Sequence, residues 1–229
     1  MTAPKARLVL FDLDHTLLPI DSDYCWSVFT TDIGWTDSQV FRQRNDDFYA
    51  HYQAGTLDIH DYIRFATEAV RLQGPARAAE AHARFMREVV QPNLRPEALA
   101  LVHKHQAAGD QVVIVTATNE FVTRPIATAF GVDELIAVEL ERGADGWITG
   151  GIRGTPSFRE GKVSRVEQWL AGHGLDWSRA DITFYSDSAN DLPLLERVDR
   201  PIATNPDPRL RAVAQERGWR ILDLFSDET

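Results

Sequence analysis

The sequence predicts an α/β protein: a Rossmann-like parallel sheet flanked by helices, with a helical cap inserted after the first strand. Three observations carry that expectation. Short uninterrupted apolar runs, the first being Leu8-Val9-Leu10-Phe11, read as strands buried on both faces of a parallel sheet. Helical patterns alternate with the later runs, which implies βαβ units with right-handed crossovers. Between the first run and the helix expected at Pro96, no strand-like run occurs over a stretch far longer than a crossover needs.

Taken in order, the first strand stops at Asp12 and Asp14, spaced i, i+2 and followed by Thr16. Ligands bind at the carboxyl ends of strands in open α/β sheets. Two acids there repel each other unless a cation or a difference in protonation relieves them. Residues 18–91 are expected to form the cap. Within them 38–44, 59–72 and 75–90 carry helical spacing, and Gly55-Thr56 and Gly74-Pro75 carry turn chemistry. Its entrance would lie beside the two acids, placing the cap to close over them and exclude water. Residues 1–17 and 92–229 are expected to form the sheet domain. There a helix over 96–108 opens with a proline and stops at Gly109, and 111–115 is the second strand. A helix over 161–175 ends at Gly172 and Gly174; 181–185 and the weaker 200–203 are strands, and 219–225 reads as the last one.

The 229 residues, 44% hydrophobic and 25% charged, suit one sizeable core plus an insertion better than two full domains. A formal net charge of −10 argues against a nucleic-acid partner, which needs clustered Lys and Arg, but leaves room for a small phosphorylated metabolite. The single cysteine, Cys25, excludes an intramolecular disulfide and suits a reducing compartment. No signal peptide opens the chain and no apolar run approaches ~20 residues, so the expectation is a cytoplasmic protein with no membrane partner.

The later strand ends add to the first. Thr116 follows the second run, where its hydroxyl could hold a phosphate oxygen or simply cap a helix. Lys162 follows Gly161 at a helix start, an unfavourable place for a cation unless an anion lies nearby. The third run leads into Ser186-Asp187-Ser188-Ala189-Asn190-Asp191. Asp and Asn favour such turns without any function. Four carboxylates at one sheet edge (Asp12, Asp14, Asp187, Asp191) are another matter, and a hard divalent cation with oxygen ligands, best Mg²⁺, would relieve them. His103 and His105 are two apart and cannot share a helix face as metal ligands. His15 reads as positional.

Together, Asp12-Leu13-Asp14-His15-Thr16, Thr116, Lys162 and Asp187-Ser188-Ala189-Asn190-Asp191 resemble the four motifs of the haloacid dehalogenase superfamily. A cap just after the first motif is similar to its phosphoserine phosphatase-like branch, subfamily IB. Ser186 departs from the pattern, which more often has glycine there. The resemblance implies Mg²⁺-dependent hydrolysis of a phosphomonoester through an aspartyl-phosphate. It makes Asp12 the nucleophile and Asp14 the acid and base, neutral at the start and with a pKa that negative neighbours would raise. It places Mg²⁺ on Asp12, the backbone carbonyl of Asp14 and Asp187, with Asp191 in support. Thr116 and Lys162 would bind the phosphoryl oxygens, and Asn190 would add a further phosphate contact.

Asp21 stands nine residues after the nucleophile, where phosphoserine phosphatases carry a carboxylate that pairs with the substrate ammonium. Their cap arginine for the substrate carboxylate has no counterpart: Ala66 takes its place, and Arg64, two residues earlier, points elsewhere on a helix. The expected substrate is therefore an amine-bearing ester, histidinol phosphate ahead of phosphoserine. Tyr24, Trp26, Phe48, Tyr49 and Tyr52 could stack on an imidazole or an ammonium, or simply pack the cap. The alternatives are a phosphotransferase or mutase with the same residues and, against the helical insertion and the i, i+2 acids, a receiver-like signalling domain.

Overall fold

Residues 5–54 and 56–225 are described by the computed structural model. After β1 (Ala6–Phe11) come four helices, α1 (Ser22–Asp32), α2 (Ser38–Ala54), α3 (Ile59–Ala66) and α4 (Glu68–Phe85). The chain returns through α5 (Pro96–Ala107), β2 (Gln111–Asn119), α6 (Glu120–Ala129) and β3 (Glu134–Val138). A hairpin of β4 (Leu140–Arg142) and β5 (Ile148–Ile152) leads to α7 (Glu160–Gly172) and β6 (Ala180–Ser186). The short α8 (Leu192–Leu195), β7 (Arg200–Thr204), α9 (Pro208–Arg217) and β8 (Arg220–Leu222) complete the order.

Six strands form one sheet in the order β3-β2-β1-β6-β7-β8, every pairing parallel. The side-chain period of two divides its apolar residues between two cores. Val9, Phe11, Val112 and Ile114 join the residues of α5 and α6 on one face, while Leu8, Leu10, Val113 and Val115 join those of α7, α8 and α9 on the other. The first cluster continues without a break into the inserted helices through Trp26, Phe29, Ile63, Val70 and Phe85. Buried His82 of α4 lies 3.1 Å from the Val122 carbonyl of α6 and packs against Trp26 and Phe121. Among the described residues no helix is long and apolar enough to cross a membrane.

Several elements differ from the sequence reading. The helix expected over 59–72 is two helices that meet at Thr67, α3 being capped by Asp58, which accepts from the His60 and Asp61 N–H groups. The expected Gly74-Pro75 turn is a kink inside α4, where Gly74 takes φ 75°. Gly55, of the other expected turn, lies outside the described residues. Strand β2 runs past Val115 to Asn119, with its register against β3 shifting between them. The sequence reading has no counterpart for α1, α6, α9, β3 or the hairpin. The hairpin carries two adjacent glycines where a strand signal would be read, and α9 has little apolar periodicity beyond buried Leu210 and Ala214.

Candidate active site

Where β1 ends, the N–H of Asp12 donates to the Tyr185 carbonyl at 2.9 Å, extending the β1–β6 ladder by one residue and anchoring Asp12 at the sheet edge. Facing it is Lys162, in the first turn of α7. Its ammonium donates to Asp12 Oδ1 at 2.9 Å and to Asp191 Oδ2 at 2.7 Å, and the residue is only 3% exposed. Burial opposes the lysine charge, yet the two carboxylates outweigh it and hold its pKa above the ordinary value. Local geometry delivers this side chain. Arg159 enters the helix with φ 51°, and Gly161 sits where a Cβ would stand 2.0 Å from the Pro156 carbonyl oxygen. Ser157 Oγ donates to the Thr116 carbonyl at 2.6 Å, tying the loop before α7 to β2.

The loop after β6 supplies the other acids. Asp191 Oδ2 also accepts from Ser186 Oγ at 2.7 Å, so the serine that departs from the motif braces this carboxylate. Burial raises the Asp191 pKa, with Lys162 pulling against it. Thr16 Oγ1 donates to Asp187 Oδ1 at 3.1 Å and lies 3.0 Å from the Asp187 N–H, which donates to it. Burial, then the charges of Asp12 and Asp191, push Asp187 well above the carboxylate range, and its carboxyl lies within hydrogen-bonding reach of Asp12.

Asp14 is held apart from this group. Its Oδ1 accepts the Ser22 N–H at 2.7 Å, and its Oδ2 accepts from Thr118 Oγ1 at 2.9 Å. Its pKa is well above the usual value, and loss of hydration is the main cause, ahead of the charges of Asp21 and Asp12. The negative neighbours the sequence pointed to do contribute, and burial, which the sequence did not show, leads them. Thr116, 2% exposed, lies in β2 two residues past Ile114, the register partner of Phe11. It caps no helix: the N-cap of α6 is Asn119, whose side chain accepts from the Val122 N–H. Thr116 Oγ1 instead accepts the Thr118 N–H at 3.1 Å.

The four acids therefore do not form one cage of side chains. Among the described residues no three His, Cys, Asp or Glu side chains converge as a metal site. Asp14 turns to Ser22 and Thr118, and Asp191 to Lys162 and Ser186. What remains is the facing pair Asp12 and Asp187, all oxygen and mutually repulsive when ionised. Such a donor set fits Mg²⁺, which binds through one or two carboxylates and keeps waters and phosphate oxygens for its other positions.

Asp21 is half-buried and serves as N-cap of α1, accepting the Tyr24 N–H at 2.9 Å. Asn190, half-buried in the loop after β6, acts on the Tyr52 hydroxyl, which also lies 3.4 Å from Ser188 Oγ. Tyr52 thus carries α2 onto that loop. The other cap aromatics go elsewhere: Tyr24 is exposed, Trp26 packs against Phe29, Phe85 and Phe121, and Phe48 stacks on Phe65. The Tyr49 side chain lies outside the described residues. Arg64 pairs with Asp61 on the surface at 3.1 Å. His15, exposed at φ 57°, offers its carbonyl to Asn205, while His105 bridges Asp110 and the Tyr185 hydroxyl. Ser22 and Thr118 escaped the sequence reading, and Ser186 stood there only as a departure from the motif, because a serine or threonine signals nothing until its partner is known.

The model of the haloacid dehalogenase-like hydrolases matches residues 9–196. The chain belongs to this family. Within the haloacid dehalogenase-like hydrolases, it is 42% identical over 219 residues to a protein of Neisseria meningitidis named histidinol-phosphatase, covering 95% of this chain and 99% of that one. A crystal structure of a protein of unknown function from Bordetella pertussis superposes with a TM-score of 0.91 at 53% identity, over 96% of this chain and all (100%) of the other. A substrate-bound phosphoserine phosphatase superposes at 0.66 and 17% identity, over 97% and 94%, a likeness of fold.

Proposed function

We propose that the protein is a Mg²⁺-dependent phosphomonoesterase that works through an aspartyl-phosphate on Asp12. One observation carries the reading: a buried lysine grips Asp12 and Asp191 while Asp14, close by, is held separately and favours its protonated form. A carboxylate paired with a buried ammonium, beside a carboxyl that favours its protonated form, divides nucleophile from acid. Asp12 attacks phosphorus in line with the ester oxygen, and the P–O bond to the leaving group breaks. The departing oxygen takes its proton from Asp14. The carboxylate so formed then removes a proton from a water, whose oxygen attacks the phosphorus of the aspartyl-phosphate. Phosphate leaves, Asp12 is restored and Asp14 is protonated again.

Lys162 and Thr116 bind the phosphoryl oxygens, Lys162 also screening Asp12 from an anionic substrate. Asp12, the Asp14 carbonyl and Asp187 would hold Mg²⁺, with Asp191 in support, and the ion would supply charge neutralisation to the nucleophile and the phosphate. Residues 18–91 act as the cap, with Tyr52 meeting Ser188 and Asn190 where it closes.

The substrate we infer is a small amine-bearing ester, histidinol phosphate ahead of phosphoserine. The full-length relative named histidinol-phosphatase supports this. So do the buried Ala66 and the surface pairing of Arg64, which leave no cap arginine for a substrate carboxylate at that place. Asp21 keeps one carboxylate oxygen free of the cap bond for an ammonium. A single cysteine is in keeping with work in the cytoplasm. The test measures phosphate release from histidinol phosphate and phosphoserine side by side, for the parent and for Asp12→Asn. Mg²⁺-dependent turnover that survives in Asp12→Asn refutes the mechanism; a clear phosphoserine preference refutes the substrate.

A further inference from the structure

A further buried carboxylate, in the first helix of the insertion, takes no part in the chemistry above. Asp23, in the first turn of α1, is 3% exposed. Tyr62 of α3 donates its hydroxyl to Asp23 Oδ2 at 2.8 Å, and Asn119 Nδ2 approaches Oδ1 at 3.4 Å. Three elements meet on this one side chain: α1, α3 and the last residue of β2. Asn119 is itself fixed, 1% exposed, with its other amide atom capping α6 through the Val122 N–H at 3.2 Å.

The neighbours in sequence make this junction consequential. Ser22, just before Asp23, gives its N–H to Asp14 Oδ1, and Thr118, just before Asn119, gives its hydroxyl to Asp14 Oδ2. Consecutive residues of α1 and consecutive residues of β2 therefore hold Asp14 and hold each other. Ser22 and Thr118 thus hold the Asp14 carboxyl from both of its oxygens. Any slip of α1 along β2 moves both donors and swings the carboxyl.

We propose that Asp23 is a positioning residue for the proton-donating step: gripped by Tyr62 and Asn119, it keeps α1 and β2 in register so that Ser22 and Thr118 aim Asp14 at the leaving oxygen. The proposal rests on Asp14 being the proton donor. General-acid catalysis depends on hydrogen-bond-length placement of the acid, and the benefit grows with the basicity of the leaving group. An alkoxide needs the proton and an acidic phenol hardly does. A loss of positioning therefore falls on alkyl esters and spares aryl esters, whereas general loosening of the fold slows both alike.

The test uses Tyr62→Phe, which removes one hydroxyl and little volume, and Asp23→Asn, which keeps an acceptor for Tyr62. Single-turnover release of the leaving group is followed for p-nitrophenyl phosphate and for an alkyl ester, histidinol phosphate or phosphoserine. Both variants should slow the alkyl ester about tenfold and the aryl ester less than about twofold. Equal slowing of the two esters, or none, overturns the proposal. Asp14→Asn, run in parallel, should show the same selectivity more strongly. If it shows none, the assignment of Asp14 fails and the proposal with it; if it alone is selective, only the role of Asp23 is overturned.

Discussion

Lys162→Met tests the electrostatic centre of the site. Methionine matches the lysine stem in length, so the change removes the ammonium and its bonds at 2.9 Å to Asp12 and 2.7 Å to Asp191 while leaving the packing. Both carboxylates are buried, and Asp187 faces them. Removing one partner of a buried ion pair costs about 3–5 kcal/mol because the remaining charge is uncompensated. Protonation offers the variant an escape, and that gives the loss a pH signature. Asp191 already titrates above its usual value in the folded parent, and without Lys162 it rises further. The folded variant then retains protons that the unfolded chain sheds above about pH 4, so its stability falls as pH climbs. In the parent, the raised Lys162 pKa makes that group's contribution fully present below about pH 10 and lost only above it, hence constant across neutral pH. Urea unfolding at pH 5 and pH 8 should show a deficit of about 3–5 kcal/mol at the higher pH and clearly less at the lower. A deficit below about 1 kcal/mol at pH 8, or one unchanged between the two, would refute the idea that Lys162 offsets buried negative charge.

Other outcomes follow from the same geometry. Gly161→Ala forces a methyl group against the Pro156 carbonyl and should cost about 2 kcal/mol or more in thermal or urea unfolding, with phosphate release falling at least about tenfold as Lys162 is displaced. Thr118→Val removes the hydroxyl on Asp14 and should lower the turnover of alkyl phosphates about tenfold with little change in KM. Burial, then the charge of Asp21, pushes Asp23 up to about 7, so its stability contribution is lost as pH rises from about 4 to 7. Asp23→Asn should accordingly exceed the parent by about 4 kcal/mol at pH 8 and lose that advantage near pH 4, read by unfolding at both values. Chelation by EDTA should abolish phosphate release, and added Mg²⁺ should restore it.

Elements that bury both faces announce themselves. The strands β1, β2 and β6 each carry a run of buried apolar residues feeding both cores, and these runs stand out in the chain. The hairpin β4–β5 does not, since charges and glycines interrupt its runs, and β3 offers only the short run Leu135–Val138, flanked by Glu134 and Glu139. The bundle inserted before β2 was legible as helical but not in its breaks, because Thr67 ends α3 through cap geometry rather than through any breaker residue.

At the site, the acids and Lys162 were legible as a set: any one of them has an ordinary structural reading, but four acids and a lysine gathered at strand ends and a helix start do not. That much the sequence determines, because burying a charge leaves a mark in the residue type. Its division of labour is decided only by the tertiary structure. Whether a given carboxylate faces a lysine, another acid or a hydroxyl depends on partners far apart in the chain: Thr118 lies 104 residues from Asp14, and Lys162 lies 150 from Asp12. The junction at Asp23 is of the same kind, with Tyr62 39 residues away and Asn119 96. Hydrogen-bond direction and loss of hydration are properties of the packed neighbourhood, so they set which acid is ionised and which is neutral only once the chain has folded.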